Sequence, residues 1–151
     1  SKPPPYGAHM TIVDPALVQS GLQEVWLERA LREDSGHSWL RLEGRRPLLI
    51  HTDPLIMSED VEGFVVATGE IVQHRLRPPE LHTIDQVAAS MARNGIGKVT
   101  LRCNLDPDVH PTLQRRLDRE LREIDGARGF MVDIEIERDS GDQVLYVVCR
   151  E

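Results

Sequence analysis

The segment TIDQVAASMARNGIGKVTLRC, residues 83–103, decides the fold, because a helix signal and a strand signal follow each other in it with almost no slack. Thr83 with Gln86 three residues later reads as a capping box. Ile84, Val87, Ala88 and Met91 form one apolar stripe at helical spacing, and Asn94-Gly95 supplies a stop. From Lys98 the period changes to two: Val99, Leu101 and Cys103 alternate with Lys98, Thr100 and Arg102. Such a strand is expected to have one buried and one wet face.

Toward the C-terminus, Pro111 suits a first helical position, and Leu113, Leu117, Leu121 and Ile124 repeat along one side up to Gly126. Val132, Ile134 and Ile136 then alternate with Asp133, Glu135 and Glu137, and a turn over 139–142 leads to a last strand, Val144 to Cys149. Toward the N-terminus, residues 64–76 are rich in Val and Ile, interrupted by Gly69 and ended by Pro78-Pro79, which predicts one long bent strand or two short ones. From Phe64 the order is β-α-β-α-β-β. The expected class is α+β: a mixed β-sheet covered by helices on one face, with charge on the other.

Before this unit, Asp14-Pro15 starts a helix expected over about 14–34 with Gly36 as its stop, and the run from Trp39 to His51 across Gly44-Arg45-Arg46 reads as a β-hairpin. Residues 51–62 read as a loop with one helical turn around 58–61. A single domain is expected over 11–151, with 11–62 and 63–151 as its parts. Residues 1–10 read as an expression-tag remnant, because Gly7-Ala8-His9-Met10 looks like a vector scar.

Composition sets bounds. Hydrophobic residues make up 40% and charged residues 28% of the 151, as in an ordinary globular protein. The net charge of −7 works against non-specific attraction to a polyanion. All but Lys2 and Lys98 of the 18 basic residues are arginine, a bias expected of a GC-rich bacterial genome. Cys103 and Cys149, both in apolar strand-like runs, make no disulfide framework, which favours a reducing, cytoplasmic compartment. No apolar run approaches the roughly 20 residues needed to span a bilayer.

Lys98-Val99-Thr100-Leu101-Arg102 followed by the arginine-rich helix Leu113 to Ile124, within the β-α-β-α-β-β order, is similar in topology to the Alba-type nucleic-acid-binding fold and to the C-terminal domain of bacterial initiation factor three. The resemblance covers less than half of the chain. It implies an RNA- or DNA-binding role for Arg115, Arg116 and Arg119, adjoined by Lys98 and Arg102. Asp118, Glu120 and Glu123 interleave with these arginines, and helical ion pairs are the ordinary expectation for such a pattern.

Other polar groups suggest chemistry only loosely. Asn94-Gly95-Ile96-Gly97-Lys98 has the flavour of a phosphate loop, but it leads from a helix into a strand, so a helix stop is expected. Asp106, Asp108 and His110 alternate before a helix, where capping is expected over metal binding. His51, Thr52, Asp53, Glu70, His74 and His82 can supply acid–base groups, yet no serine or cysteine nucleophile is placed beside them and no histidine pair has zinc spacing on a helix. Neither cofactor nor metal is expected. The row Asp133, Glu135, Glu137 places three like charges on one strand face, neutralised if Lys98 and Arg102 lie on the adjacent strand and otherwise a surface for a basic partner.

These patterns lead to a non-catalytic bacterial protein-interaction or regulatory module, part of a larger protein or assembly, that binds a protein partner or itself. The alternative is the nucleic-acid-binding domain. Self-association is expected at a sheet edge and at Trp39, read as facing opposite to a buried Leu40 and Leu42.

Overall fold

The computed structural model describes residues 2–151. Its elements in chain order are β1 (His9–Val13), α1 (Pro15–Gln19), α2 (Gln23–Ala30), β2 (His37–Arg41), β3 (Leu48–His51), α3 (Glu59–Glu62), β4 (Val65–Arg75), α4 (Ile84–Arg93), β5 (Ile96–Leu101), α5 (His110–Glu120), β6 (Ala127–Arg138) and β7 (Gly141–Arg150). The class is α+β, with one mixed seven-stranded sheet in the order β2-β3-β1-β4-β7-β6-β5. Two compact units divide the chain, Pro4–Glu70 and Ile71–Glu151, so the boundary falls inside β4. Among the described residues no helix is long and apolar enough to cross a membrane.

In the Pro4–Glu70 unit, β1 runs antiparallel between β3 and β4, and β2 pairs with β3. His9 and Met10 belong to β1, and Met10 is fully buried, so these two residues are not an appendage to the fold. The helix expected over 14–34 is two helices. Asp14 caps α1 as predicted, its Oδ1 accepting from the Ala16 amide at 2.9 Å. Gly21 then adopts a left-handed backbone (φ +72°) and turns the chain before α2. Val13, Leu17, Trp26, Leu27, Ala30, Leu31, Leu49 and Val61 make the core beneath these helices, with Trp39 packed against it.

In the Ile71–Glu151 unit, α4 and α5 pack on one face of the strands: Val87 and Met91 from α4 and Leu113, Leu117 and Leu121 meet Val99, Leu101, Met131 and Val148. Replacing one of these buried leucines by alanine costs about 2–5 kcal/mol. The capping box does not form, because the Thr83 hydroxyl donates to the Glu80 carbonyl at 3.3 Å instead. Gly95 closes α4 in the left-handed conformation (φ +77°). Gly97 lies so close to the turn after α5 that a Cβ there would sit 2.5 Å from the Ile124 carbonyl oxygen and 2.8 Å from the Gly126 nitrogen.

The sheet face away from α4 and α5 is apolar rather than charged in β6 and β7. Phe130, Val132, Ile134 and Ile136 on β6, with Leu145, Val147 and Cys149 on β7, are buried on that side. Both faces are covered only at Phe130–Val132 and Leu145–Cys149, the near-continuous hydrophobic run of doubly buried strands, whereas Glu135, Glu137 and Val144 are exposed on the face of Met131.

Candidate docking site

The outer strands of the sheet differ in what satisfies their free edges. On β5, the Gln114 side chain from α5 acts as a substitute strand: its Nε2 donates to the Val99 carbonyl at 2.8 Å and its Oε1 accepts from the Leu101 amide at 2.8 Å. His110 Nε2 lies 3.1 Å from the Leu101 carbonyl and can donate to it only as an Nε2–H. On β2 no strand pairs with the outer side among the described residues. Its register with β3 is regular over His37, Ser38 and Trp39 and shifts between Trp39 and Arg41, leaving Leu40 as the extra, exposed residue.

A groove of about 590 Å³ opens where β2 begins. Residues 24, 27, 28 and 31 share one stripe of α2 by their helical spacing. Leu27 and Leu31, both almost wholly buried, form its floor. Glu24, Glu28 and Glu33 stand exposed at its rim, with Arg32 the one arginine, and Ser35 and His37 lead into the strand. Among the described residues none of the three rim carboxylates is held in an ion pair. The wall is braced from behind. Ser35 and Thr52 hydroxyls lie 3.2 Å apart, the Gly36 amide donates to Thr52 Oγ1 at 3.0 Å, and Arg29 on α2 pairs with Asp60 on α3.

Next to the groove lies a row that crosses four strands in register: His37 on β2, His51 on β3, His9 on β1 and Glu70 on β4. His51 is 1% exposed, and its hydrogen bonds determine its tautomer. Nδ1 is 2.6 Å from the Asp53 carbonyl oxygen, which can only accept, so Nδ1 carries the proton. Nε2 must then accept from the Thr11 hydroxyl at 2.7 Å, and Thr11 in turn accepts from Thr68 at 2.7 Å. Burial drives the His51 pKa down to about 4, with the Asp53 carbonyl bond opposing and His9 adding to the fall. His9 stacks on it with ring centroids 5.8 Å apart and is itself lowered, first by burial, against the opposing pull of Glu70 and Asp53. Both nitrogens of His51 are engaged, and the described residues hold no group of three or more His, Cys, Asp or Glu arranged for a metal.

The remaining residues singled out by sequence fall as follows. Trp39 is turned inward, its ring 6.5 Å from that of Trp26, while Leu40 and Leu42 are the exposed side chains. The expectation for this strand is thus inverted, because its aromatic residue lies on the side that α2 covers. Asp133, Glu135 and Glu137 share the face of Met131, beyond Leu101, where β5 stops pairing with β6. Asp133 accepts from the Asn104 amide at 3.1 Å. β5 does adjoin β6, but Lys98 lies beside Arg128 on the other face, so it does not neutralise that row.

Arg102 follows the alternation of Lys98 and Thr100, its amide bound to the Met131 carbonyl at 2.8 Å. The arginines of α5 lie on the opposite side of β5, so helix and strand cations form no common stripe. Among the described residues Arg115, Arg116, Arg119 and Arg122 make none of the expected ion pairs with Asp118, Glu120 or Glu123; Arg115 instead donates to Thr112 at 3.3 Å. Asp106 Oδ1 accepts from the Asp108 amide at 2.9 Å, consistent with a structural turn before α5. His82 meets the Glu80 carboxylate at 3.2 Å, but on open surface. His74 is lowered by burial and then by Arg138. Cys103 and Cys149 are both buried and not joined in a disulfide, on opposite faces of the sheet, and burial raises the Cys149 thiol further than the nearby Glu151 does.

No family, no curated protein and no solved structure matches the chain.

Sequence reasoning missed Gln114 and the groove rim. The signal for Gln114 was present: it is a polar residue directly beside the Leu113 and Leu117 stripe, where a side-chain amide reaches a strand edge. The rim has no comparable signal, because Glu24 and Glu28 look like any solvated helix face until β2 is placed next to them.

Proposed function

We propose that the protein is a non-catalytic interaction module that takes an extended segment of a partner protein along the free edge of β2, beside the groove against α2. One observation carries this reading: an open strand edge borders a concave surface with an apolar floor, the combination used in strand-addition recognition, where backbone hydrogen bonds supply affinity and adjacent pockets supply specificity. The other outer edge, on β5, is closed by Gln114 and His110. Two buried cysteines that form no disulfide are compatible with a reducing, cytoplasmic setting for such a module.

A photo-crosslinking side chain placed at exposed Ser38, and in a second protein at exposed Arg119, tests the reading in cells. Adducts with one defined protein from position 38 and none from 119 are expected. Adducts from 119 alone would contradict it. So would RNA or DNA binding that weakens with salt and is lost in Arg115→Ala/Arg116→Ala, since that outcome assigns the protein to nucleic acid. Adducts between two copies of the chain from position 38 would make the partner a second copy.

A further inference from the structure

We infer that the segment received at β2 is basic: a lysine or arginine side chain of the partner lays its aliphatic stem on Leu27 and Leu31 and places its charged head among Glu24, Glu28 and Glu33. The inference rests on the strand-addition reading and adds the chemistry of the occupant.

An apolar floor under an acidic rim matches the two-part nature of these side chains, whose methylene stems cover apolar surface while their heads stay at the solvent boundary. The rim holds three carboxylates against the single guanidinium of Arg32, and none of the three is ion-paired among the described residues. Glu24 and Glu28 stand one helical turn apart, where like charges repel, so a cation between them removes a standing cost. The net charge of −7 steers a basic segment toward the protein and repels both a polyanion and a second copy of the chain. A free cation lacks the other half of the match, because it offers no amides to the edge over His37–Trp39.

The test uses labelled short peptides that alternate lysine with valine, and otherwise identical peptides with serine or glutamate in place of lysine. Binding to the full chain is read by fluorescence anisotropy, and the footprint by amide chemical shifts. The lysine peptide is expected to bind with shifts centred on His37–Trp39. Its affinity should weaken about tenfold or more, about 1.4 kcal/mol, in the Glu24→Gln/Glu28→Gln/Glu33→Gln protein, whose altered side chains are all exposed. Should that protein fail to fold, Glu28→Gln alone and the salt dependence of wild-type binding decide the same point: both must weaken the complex.

Equal binding of the serine peptide at the same footprint would overturn the basic occupant and leave strand addition standing. Equal binding of spermidine, which has the charge without the amides, would overturn the strand part. A footprint elsewhere, or no binding of any of the three peptides, would overturn both.

Discussion

The edge of β5 and the edge of β2 are opposite solutions to the same problem. A strand at the end of a sheet exposes backbone donors and acceptors that invite pairing with another chain. At β5 the chain answers with α5, whose Gln114 amide occupies the place of a neighbouring strand while His110 takes the next carbonyl. At β2 it answers only with brevity and a bulge at Leu40, and it leaves a groove alongside. An edge closed by side chains serves stability; the one left open beside an acidic, leucine-floored groove is the edge we propose for recognition.

Four perturbations break or sharpen this contrast. The largest effect is expected at the closed edge, from Gly97→Ala. Its new methyl meets backbone atoms at Ile124 and Gly126 that cannot move as a side chain would, so stability should fall by about 3 kcal/mol or more in urea unfolding.

Close to it in size is the effect of acid on the unit that carries the open edge. His51 titrates at about 4 in the folded chain and at its ordinary 6.5 when unfolded, so between those values the unfolded state binds more protons. Its contribution is complete above about pH 6.5 and falls away by about 3 kcal/mol as pH drops to about 4. The lowered His9 adds in the same direction. Urea midpoints across that range, and a His51→Gln protein that flattens the profile, check the sign.

Next is Gln114→Leu, which keeps bulk on α5 but strips the Val99 carbonyl and Leu101 amide of their partners. A loss of about 1–3 kcal/mol is expected, with concentration-dependent association in sedimentation as the edge opens. Smallest is Arg29→Ala, which removes the exposed bridge from α2 to Asp60 and should cost less than about 1 kcal/mol in thermal unfolding.

Much of this fold is legible in the sequence. The stripe Ile84, Val87, Ala88, Met91 and the alternation after Lys98 correspond to α4 and β5, and Leu113, Leu117 and Leu121 mark α5, because burial on one face imposes a period that local sequence records. What escaped notice depended on partners far along the chain. Leu17, Val18, Leu22, Val25 and Trp26 keep helical spacing across Gly21, so periodicity alone hides the break between α1 and α2. Trp39 and Leu40 exchange their expected sides because strand alternation does not say which side a distant helix will cover. The alternation of Val132, Ile134 and Ile136 with acids is one-sided as read, but its apolar side is the one away from α4 and α5, and both faces are buried only toward Phe130, Met131 and the inner part of β7, outside that window. The histidine row needs residues 9, 37, 51 and 70 brought into register, and no local pattern announces it.

The central claim is that β2, unlike β5, keeps its outer edge for another chain. Residue-resolved amide exchange, with and without the lysine–valine peptide, tests it most directly. The account predicts that the Leu101 amide, held by Gln114, is slow to exchange in both states, and that peptide slows amides within His37–Trp39 alone. Protection that appears on α5 or at β5, with β2 unchanged, would contradict it.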